Sequence, residues 1–551
     1  MRLEYNAEKG TYILRIPSAD RELVKKLMEE YGLNQSAPAS TSETTVLFTH
    51  EPYAAIAFAG DATPMARQAL GGILAEVEAS WAKTSSSRYW SPPDRELWDF
   101  QRADLDYALR RRNTLVADQP GLGKTPVAIC YANEIKAHHA LVICPANIRG
   151  QWHRRIREWS RMSWDFGASC RVQSITSGRS GLAAPSEHLA SWNVVSYDLA
   201  RSPPIGRALA RERYDVLILD EAHYLKTTDS GRTRAVFGGG TARHFEPLAS
   251  RCDHVLTLTG TPLPNRPREA YTLARAQHWD AIDWLSEDDF RERFNPSLLV
   301  EGQRDDGSWY RFVDERSGRH AELQARLRAS FMVRHLKREV MTQLKMPIFD
   351  LIYLDEDAAI KAALAAEQLL DIDPDTLAGE NAEVFGHIAE ARHMMGLAMA
   401  PQIADYIDML IDGGEEKLVV FAWHIGVLDI LEKKLHKHGF LRIDGRTSST
   451  QKDERVQRFI HDPKCQVICG NLQAMGVGTD GLQEVAWHGL IAEPSWVPGE
   501  NIQAFDRLDR GGQNRTVQGD IFVVRNSLAE RILAKALRKL RTTDAALDKK
   551  F

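Results

Sequence analysis

Short apolar runs alternate with helical patterns from about residue 94 onward. In order, these runs are "TLVAD", "ALVICP", "NVVSY", "DVLILDEAH" and "HVLTLTGTP", and then "KLVVFAW", "FLRIDG", "QVICG", "HGLIAEP" and "DIFVV". Unbroken apolar strands of this kind are typical of parallel sheets that helices cover on both faces. The pattern therefore predicts an α/β protein with two successive parallel sheets.

Residues 1–90 follow a different pattern. "TYILRI" alternates like a half-buried strand, "TVLFTH" predicts a second strand, and helices are predicted over residues 20–31 and about 64–81. The stretch "KTSSSRYWSPP" is rich in serine and proline, which is typical of a linker. We therefore expect a small accessory α+β domain at residues 1–90.

The two predicted sheets divide the remaining chain into two lobes. The first lobe is expected over residues 91–350 and includes a charged helical insertion at about 275–340, where the rhythm of strands pauses. The second lobe is expected over residues 351–551, and the acidic stretch "DIDPDTLAGENAE" near its start predicts a solvated loop.

Composition restricts the class of protein. A length of 551 residues, 43% hydrophobic and 26% charged, predicts a globular protein with more than one core. The net charge of −5 argues against a passive nucleic-acid coat, but local patches could still bind phosphates. Six scattered cysteines without a CxxC pair predict structural thiols in a reducing compartment.

The sequence also bears on location. The N-terminus lacks the apolar run of a signal peptide, and no stretch approaches the roughly 20 apolar residues of a membrane helix. We therefore expect no membrane association and a cytoplasmic protein, in a bacterium or a phage-infected cell, or a nuclear protein if the source is eukaryotic.

The stretch "DQPGLGKT" lies between a predicted strand and a predicted helix, as a phosphate-binding loop does. Glycines allow backbone N–H groups to converge on phosphate oxygens, the lysine would reach the β- and γ-phosphates of ATP, and the threonine would bind Mg²⁺. The alternative is a glycine-rich turn that carries Lys-Thr by chance. The residues of the predicted loop are Gly121, Leu122, Gly123, Lys124 and Thr125.

An acidic pair ends the apolar run in "YDVLILDEAHYLK". Asp220 is predicted to hold Mg²⁺, and Glu221 to polarise the attacking water as a general base. A chance pair at the end of a strand is the alternative, but the position downstream of a phosphate loop argues against it.

The tetrad "DEAH" and the motifs around it resemble the Snf2 branch of the superfamily 2 helicases and translocases. That branch has aspartate where the strict phosphate loop has its first glycine, as Asp118 does here, while Gln119 and Pro120 depart from its pattern. The similarity extends over about residues 94–540, and "VFAWHIGVLDILEKKL" and "IAEPSWVPGE" are most similar to the annealing-helicase (HepA-related) subgroup. It implies two tandem RecA-like lobes that bind ATP and Mg²⁺.

Two further motifs imply nucleotide contacts. "LWDFQRADLDYAL" resembles the Q motif, in which Gln101 would read the adenine edge, although an ordinary helix-surface residue is the alternative. "NIQAFDRLDRGGQ" resembles motif VI, with Gln503 near the nucleotide and Arg507 and Arg510 supplied from the second lobe. The i, i+3 spacing of the arginines predicts that both project from one helix face. Asp509 replaces the usual histidine of this motif.

The remaining motifs imply coupling or nucleic-acid contacts. "LVICPANIRGQWHRRIREW" resembles motif Ia, in which Arg149 and Arg154 would track a strand; a solvated basic face is the alternative, and its tryptophans are expected in the core. "FMVRHLKREVMTQLKMP" resembles the segment that closes the first lobe, with His335 at the position of an arginine. The implied coupling residues are His223, Thr259, Gly260, Thr261, Gly476 and Gly478.

The function expected from these motifs is that of an ATP-dependent DNA translocase that moves along double-stranded or branched DNA and remodels or anneals it, as a monomer. A strand-separating DNA or RNA helicase is the nearest alternative. A small-molecule enzyme with a phosphate loop, or a binding module without catalysis, fits the second lobe and the intact catalytic residues less well. Residues 1–90 are hypothesised to recognise DNA structure.

Overall fold

The structure is a computed structural model. It describes residues 1–17, 21–36, 44–166, 170–177, 181–182, 191–239, 245–260, 262, 267–303, 309–315, 318–341, 343–345, 347–369, 382–475, 479–495, 498–531 and 533. Within these ranges, the chain forms one antiparallel sheet, a two-stranded hairpin and two larger parallel sheets.

The strands in chain order are β1 (Arg2–Asn6), β2 (Thr11–Pro17), β3 (Asn34–Gln35), β4 (Thr44–Thr49), β5 (Asn113–Val116), β6 (His139–Cys144), β7 (Arg171–Ser174), β8 (Ser191–Ser196), β9 (Tyr214–Asp220), β10 (Cys252–Leu258), β11 (Ser297–Gln303), β12 (Trp309–Glu315), β13 (Met332–Val333), β14 (Ile348–Tyr353), β15 (Leu418–Ala422), β16 (Leu441–Ile443), β17 (Val467–Asn471), β18 (His488–Ile491) and β19 (Gln518–Val523).

The helices are α1 (Arg21–Tyr31), α2 (Pro52–Ala55), α3 (Pro64–Ala79), α4 (Asp99–Leu109), α5 (Lys124–Glu134), α6 (Arg149–Trp159), α7 (Arg161–Phe166), α8 (Tyr197–Ala200), α9 (Pro203–Arg211), α10 (Gly231–Phe237), α11 (Ala270–His278), α12 (Glu287–Phe294), α13 (His320–Ser330), α14 (Lys337–Val340), α15 (Ala358–Leu369), α16 (Ala382–Asp412), α17 (Ile425–Leu435), α18 (Ser449–His461), α19 (Leu472–Met475) and α20 (Pro498–Phe505).

The first lobe is built on a seven-stranded parallel sheet with the strand order β13-β5-β10-β9-β6-β8-β7. Strand β9 shows why its sequence is continuously apolar. Leu217 and Leu219 belong to the hydrophobic core on one face of the sheet, whereas Val216 and Ile218 belong to the core on the other. Both faces are covered, as the apolar runs predict.

The second lobe is built on a six-stranded parallel sheet with the strand order β14-β19-β18-β15-β17-β16. Two tandem parallel-sheet lobes therefore confirm the predicted α/β architecture. In the first lobe, the phosphate loop follows β5 and the acidic pair ends β9, on either side of β10. Because the carboxyl ends of parallel strands share one edge of the sheet, these motifs lie close together.

Residues near the N-terminus form the predicted small α+β unit. Its four-stranded sheet has the order β1-β2-β4-β3 and pairs antiparallel throughout. Thr63 caps α3 by accepting from the backbone N–H of Ala66, and Pro64 occupies the first turn, where no N–H is needed. The sequence did not indicate that α13 completes this core, with Ala321 and Ala325 packed among its apolar side chains.

A buried charge cluster joins this unit to the first lobe. Arg326 on α13 donates from Nη2 to Glu51 Oε2 at 2.5 Å and to Asp283 Oδ2 at 2.7 Å, and from Nε to Glu322 Oε1 at 2.9 Å. Its guanidinium also lies over the ring of Tyr53, 4.6 Å from the centroid. The cluster joins Glu51 of the N-terminal unit to Asp283 and Arg326 of the first lobe, so it anchors the unit to that lobe.

Membrane insertion finds no support in the helices described above: none of them combines the length and the apolar character that a membrane span needs.

Replacing Arg326 with methionine should destabilise the protein strongly. The apolar side chain would fill part of the space but would remove one of the two arginines that Glu51 and the buried Glu322 share, leaving Arg293 as their common partner. Loss of these charged hydrogen bonds should cost about 1.5–3 kcal/mol. Urea unfolding and calorimetry would measure it. Arg161→Met is the control, because its pair with Asp165 is exposed and should contribute at most about 1 kcal/mol. Equal stability of the two variants would contradict the anchoring role.

Candidate functional site

A cavity of about 710 Å³ opens between the two lobes. It brings together residues that are far apart in sequence, and its walls carry both acidic and basic groups. The sequence-predicted residues that line it are Gly121, Gly123, Lys124, Thr125, Arg154, Asp220 and Glu221 from the first lobe, and Arg507 and Arg510 from the second. The structure thus places the four predicted catalytic residues around one cavity.

The glycines of the phosphate loop are required by its backbone. Gly121 and Gly123 have φ angles of +87° and +77°, in the left-handed region that favours glycine. A Cβ on Gly121 would approach Arg510 Cγ at 3.0 Å, and a Cβ on Gly123 would approach Gln101 Nε2 at 2.4 Å. Helix α5 begins directly after this turn, so its free N–H groups face the cavity and favour an anion there.

The side chain of Gln101 is buried, which excludes the alternative that Gln101 is an ordinary residue on a helix surface. Its Nε2 donates to the carbonyl oxygen of Leu122 at 2.8 Å, so in this structure it supports the phosphate loop. The Leu122 side chain packs against Phe100 and Met341, away from the cavity. Gln503 is also buried, and it does not line the cavity.

Asp118, at the position of the missing first glycine, anchors the loop. Its Oδ1 accepts from the backbone N–H of His335 at 2.7 Å and lies 3.2 Å from the ring Nδ1, while Asp104 Oδ1 lies 3.1 Å from the same nitrogen. All three side chains are buried. The loop is thereby tied to the segment that ends the first lobe.

The charges in this cluster balance one another. Burial and the neighbouring Asp118 raise the pKa of Asp104 to about 8. Burial disfavours a charged imidazole, but Asp104 and Asp118 outweigh it and raise the pKa of His335 to about 10. The three side chains are close enough to hold a metal ion. However, the protonated imidazole already supplies the positive charge between the two carboxyl groups.

The two unusual loop residues make structural contacts. Gln119 Oε1 accepts from the backbone N–H of Lys337 at 2.7 Å. A Cβ on Gly260 would lie 2.6 Å from the ring of Pro120, so Gly260 makes room for the proline. The departures from the family pattern therefore connect the loop to two neighbouring segments.

Asp220 and Glu221 lie at the end of β9, and their two carboxyl groups have different environments. Burial and then Glu221 raise the pKa of Asp220 to about 6. Burial would also raise the pKa of Glu221, but His223 and Lys124 outweigh it and hold this pKa below its usual value. Glu221 has a φ of +51°, a strained backbone of the kind found at functional sites. Glu221 is therefore ionised and available as a base.

His223 links the acidic pair to the strand beside it. Its Nδ1 lies 3.2 Å from Glu221 Oε2 and 3.2 Å from Thr259 Oγ1. Two of the predicted coupling residues are thus in contact. Thr261, Gly476 and Gly478 lie outside the described residues.

Three cationic side chains converge on the cavity. Lys124 Nζ donates to the carbonyl oxygens of Asp118 and Gln119, at 2.7 and 3.3 Å, and burial lowers its pKa. Burial and then Arg510 lower the pKa of Arg507 to about 10. Its buried Nε has no hydrogen-bond acceptor in the part of the chain that the structure describes. An unpaired buried donor beside a glycine loop fits a polyphosphate, and Thr125 with Asp220 offers oxygens that suit Mg²⁺.

The motif VI arginines differ from the expectation in one respect. Helix α20 ends at Phe505, so Arg507 and Arg510 lie in the turns that follow it and not on one helix face. Arg510 pairs with Asp480 and donates from Nε to the carbonyl oxygen of Asp506 at 2.7 Å. Both arginines still reach the cavity.

Helix α6 carries the two predicted strand-tracking arginines, of which Arg154 lines the same cavity. Arg154 Nη1 lies 3.4 Å from Asp453 Oδ2 in the second lobe. Arg149 donates from Nε to the carbonyl oxygen of Ala146 at 3.2 Å and from Nη1 to that of Ile175. In this structure, both arginines are engaged with the protein itself.

Sequence reasoning missed Lys337. This buried lysine of the first lobe donates from Nζ to Asp509 Oδ2 at 2.8 Å, to the carbonyl oxygen of Asp509 at 2.5 Å and to Asp506 Oδ1. A buried ion cluster thus joins the lobes beside the cavity. The signal available in the sequence was Asp509 itself, an acid where the resembling motif carries histidine.

Comparisons with known proteins indicate one family for this chain. A family model described as SNF2-related domain matches residues 31–368, more than half of the chain. The chain is 28% identical over 469 residues to the human DNA annealing helicase and endonuclease ZRANB3, covering 83% of this chain and 41% of that protein. It is 30% identical over 436 residues to the Xenopus tropicalis SWI/SNF-related matrix-associated actin-dependent regulator of chromatin subfamily A-like protein 1, covering 76% and 42%.

Among solved structures, a Sulfolobus solfataricus SWI2/SNF2 ATPase core in complex with dsDNA matches with a TM-score of 0.37 and 17% identity, over 83% of this chain and 98% of that one. The chain spans about two fifths of the length of the curated relatives named above.

Replacing Lys337 with methionine should loosen the junction of the lobes. The substitution leaves Asp506 and Asp509 buried without a cation, which costs about 3–5 kcal/mol. We expect a larger radius of gyration in small-angle X-ray scattering of the nucleotide-free protein, and a lower melting temperature. The neighbouring Arg338 is exposed, so Arg338→Met should change neither. An unaltered scattering curve for Lys337→Met would show that the cluster does not hold the lobes together.

The buried Asp104–His335 pair should make stability fall as pH rises. The folded-state pKa of each group is raised, from 3.8 to about 8 for Asp104 and from 6.5 to about 10 for His335. Each stabilising contribution is therefore complete below the unfolded pKa and is lost as pH rises through the folded pKa. Melting temperatures between pH 6 and 9 should decline less steeply in Asp104→Asn. Asp99→Asn, on the exposed start of α4, should follow the wild type, and a wild-type slope in Asp104→Asn would contradict the raised pKa of Asp104.

Proposed function

The chain belongs to the SNF2-related family, and from that premise we propose that it is an ATP-driven translocase on double-stranded or branched DNA, which it remodels or anneals. One observation carries the proposal. Lys124 and Glu221 of the first lobe and Arg507 of the second line the same cavity. Hydrolysis at such a site depends on the relative position of the lobes, and a motor needs that dependence.

Binding of the ATP phosphates would use groups that now have only internal partners. The Lys124 ammonium would exchange the carbonyl oxygens of Asp118 and Gln119 for phosphate oxygens. The backbone N–H groups from Gly121 to Thr125 would complete the cradle. Because Asp118 is anchored through His335, the loop stays in place during this exchange.

Hydrolysis would begin with deprotonation of a water by Glu221, which its neighbours keep ionised. Mg²⁺, held through Thr125 and Asp220, would supply charge neutralisation at the phosphates. Arg507 and Arg510 would stabilise the charge that develops in the transition state. Arg510 now pairs with Asp480, and an exchange of this partner for phosphate oxygens would tie turnover to a rearrangement within the second lobe.

The names of the relatives support DNA as the partner, since the human relative is a DNA annealing helicase. A translocase contacts mainly the DNA backbone, so binding should depend little on sequence and strongly on salt.

Glu221→Gln should bind ATP but lose DNA-stimulated turnover by about 100- to 10,000-fold, because the amide cannot accept the proton of water. ATPase rates with duplex, forked and single-stranded DNA and with RNA would measure this, beside annealing and unwinding assays. Glu212→Gln, outside the cavity, is the matched control. Normal hydrolysis by Glu221→Gln would show that Glu221 is not the general base. Stimulation by RNA alone would overturn the proposal that DNA is the partner.

A further inference from the structure

Trp152 on α6 makes a polar contact that a purely apolar core residue would not need. The side chain is almost completely buried in the core behind the sheet of the first lobe. Its Nε1 donates to Asp220 Oδ2 at 2.7 Å. The indole thus reaches the carboxylate that Mg²⁺ would use.

The second tryptophan of the same helix shows that burial alone does not produce such a contact. Trp159 packs in the same core, and its buried Nε1 has no acceptor among the residues that the structure describes. The fold therefore tolerates an unpaired indole N–H at one end of α6. At the other end, the N–H is aimed at a functional carboxylate.

The two contacts of Asp220 fix its orientation. Oδ1 accepts from the backbone N–H of Glu221 at 2.9 Å, while Oδ2 accepts from Trp152. Each oxygen has one donor, so the carboxylate plane cannot rotate without breaking a hydrogen bond. The strand end is held as well, because the Tyr197 hydroxyl donates to the backbone carbonyl of Asp220 at 2.8 Å.

We propose that Trp152 is a positioning residue that holds the Asp220 carboxylate in the orientation required for Mg²⁺–nucleotide binding. The proposal rests on the proposed function, since Asp220 is a metal ligand only if the cavity binds ATP. Hydrogen bonds from outside the ligand set commonly orient metal ligands, and their loss typically lowers metal affinity by about 10- to 100-fold.

Helix α6 also contacts the second lobe. Gln151, next to Trp152, donates to Asp480 of the second lobe, and Arg155 Nη2 lies 3.7 Å from Asp480 Oδ2. Asp480 also holds Arg510. One helix thus touches the carboxylate that would bind the metal and the acidic residue that restrains an arginine of the opposite lobe.

Trp152→Phe is the direct test, because it keeps an aromatic ring and removes the N–H. The measurement is binding of a fluorescent ATP analogue at increasing Mg²⁺, and separately in EDTA, without turnover. We expect the Mg²⁺ concentration for half-maximal binding to rise about tenfold, while the affinity in EDTA is unchanged. Trp164→Phe, at an exposed position outside the cavity, should behave as the wild type. In an Asp220→Asn background, Trp152→Phe should add no further loss.

Three results would overturn the proposal: an unchanged Mg²⁺ requirement in Trp152→Phe, an equal loss of affinity with and without Mg²⁺, or a full additional loss in the Asp220→Asn background. If Trp152→Phe melts early, benzothienylalanine at position 152 removes only the N–H and gives the same comparison. Failure of the wild type to bind the analogue at any Mg²⁺ concentration would instead refute the proposed function, and with it this role.

Discussion

Buried charge at the junction of the two lobes is the constraint on which the rest of this structure depends. An ammonium or carboxylate removed from water has to find a counter-charge, since its desolvation costs several kcal/mol. Lys337 satisfies this requirement with Asp506 and Asp509, and Arg510 satisfies it with Asp480. The Lys337 pairs connect the first lobe to the second, whereas the Arg510–Asp480 pair lies within the second lobe, on the wall of the cavity that the two lobes share.

The same rule explains the phosphate loop. With Asp118 in place of a glycine, the loop acquires a buried charge, and the charge acquires His335 and Asp104 as partners. Gln119 and Pro120, which look irregular in the sequence, contact the segments on either side. The loop is therefore braced from outside the cavity, while the backbone from Gly121 onward remains directed into it.

The N-terminal unit follows the rule at a larger scale. Its apolar core is completed by α13, and the carboxylates of Glu51 and Glu322 meet on Arg326. Because α13 is also part of the first lobe, the N-terminal unit packs directly against that lobe.

The sequence by itself determined the class of fold and predicted most of the residues that line the candidate site. Continuous apolar runs predict parallel strands because both faces of such a strand are covered, and a loop such as "DQPGLGKT" followed by "DEAH" predicts which strand ends carry the phosphate and metal ligands. These are local signals. Tertiary structure alone decided the partners of Lys337, the end of α20 before Arg507, the packing of α13 and the contact between Trp152 and Asp220. Each of these features depends on contacts between segments that are far apart in the sequence. No local pattern of residues encodes such contacts.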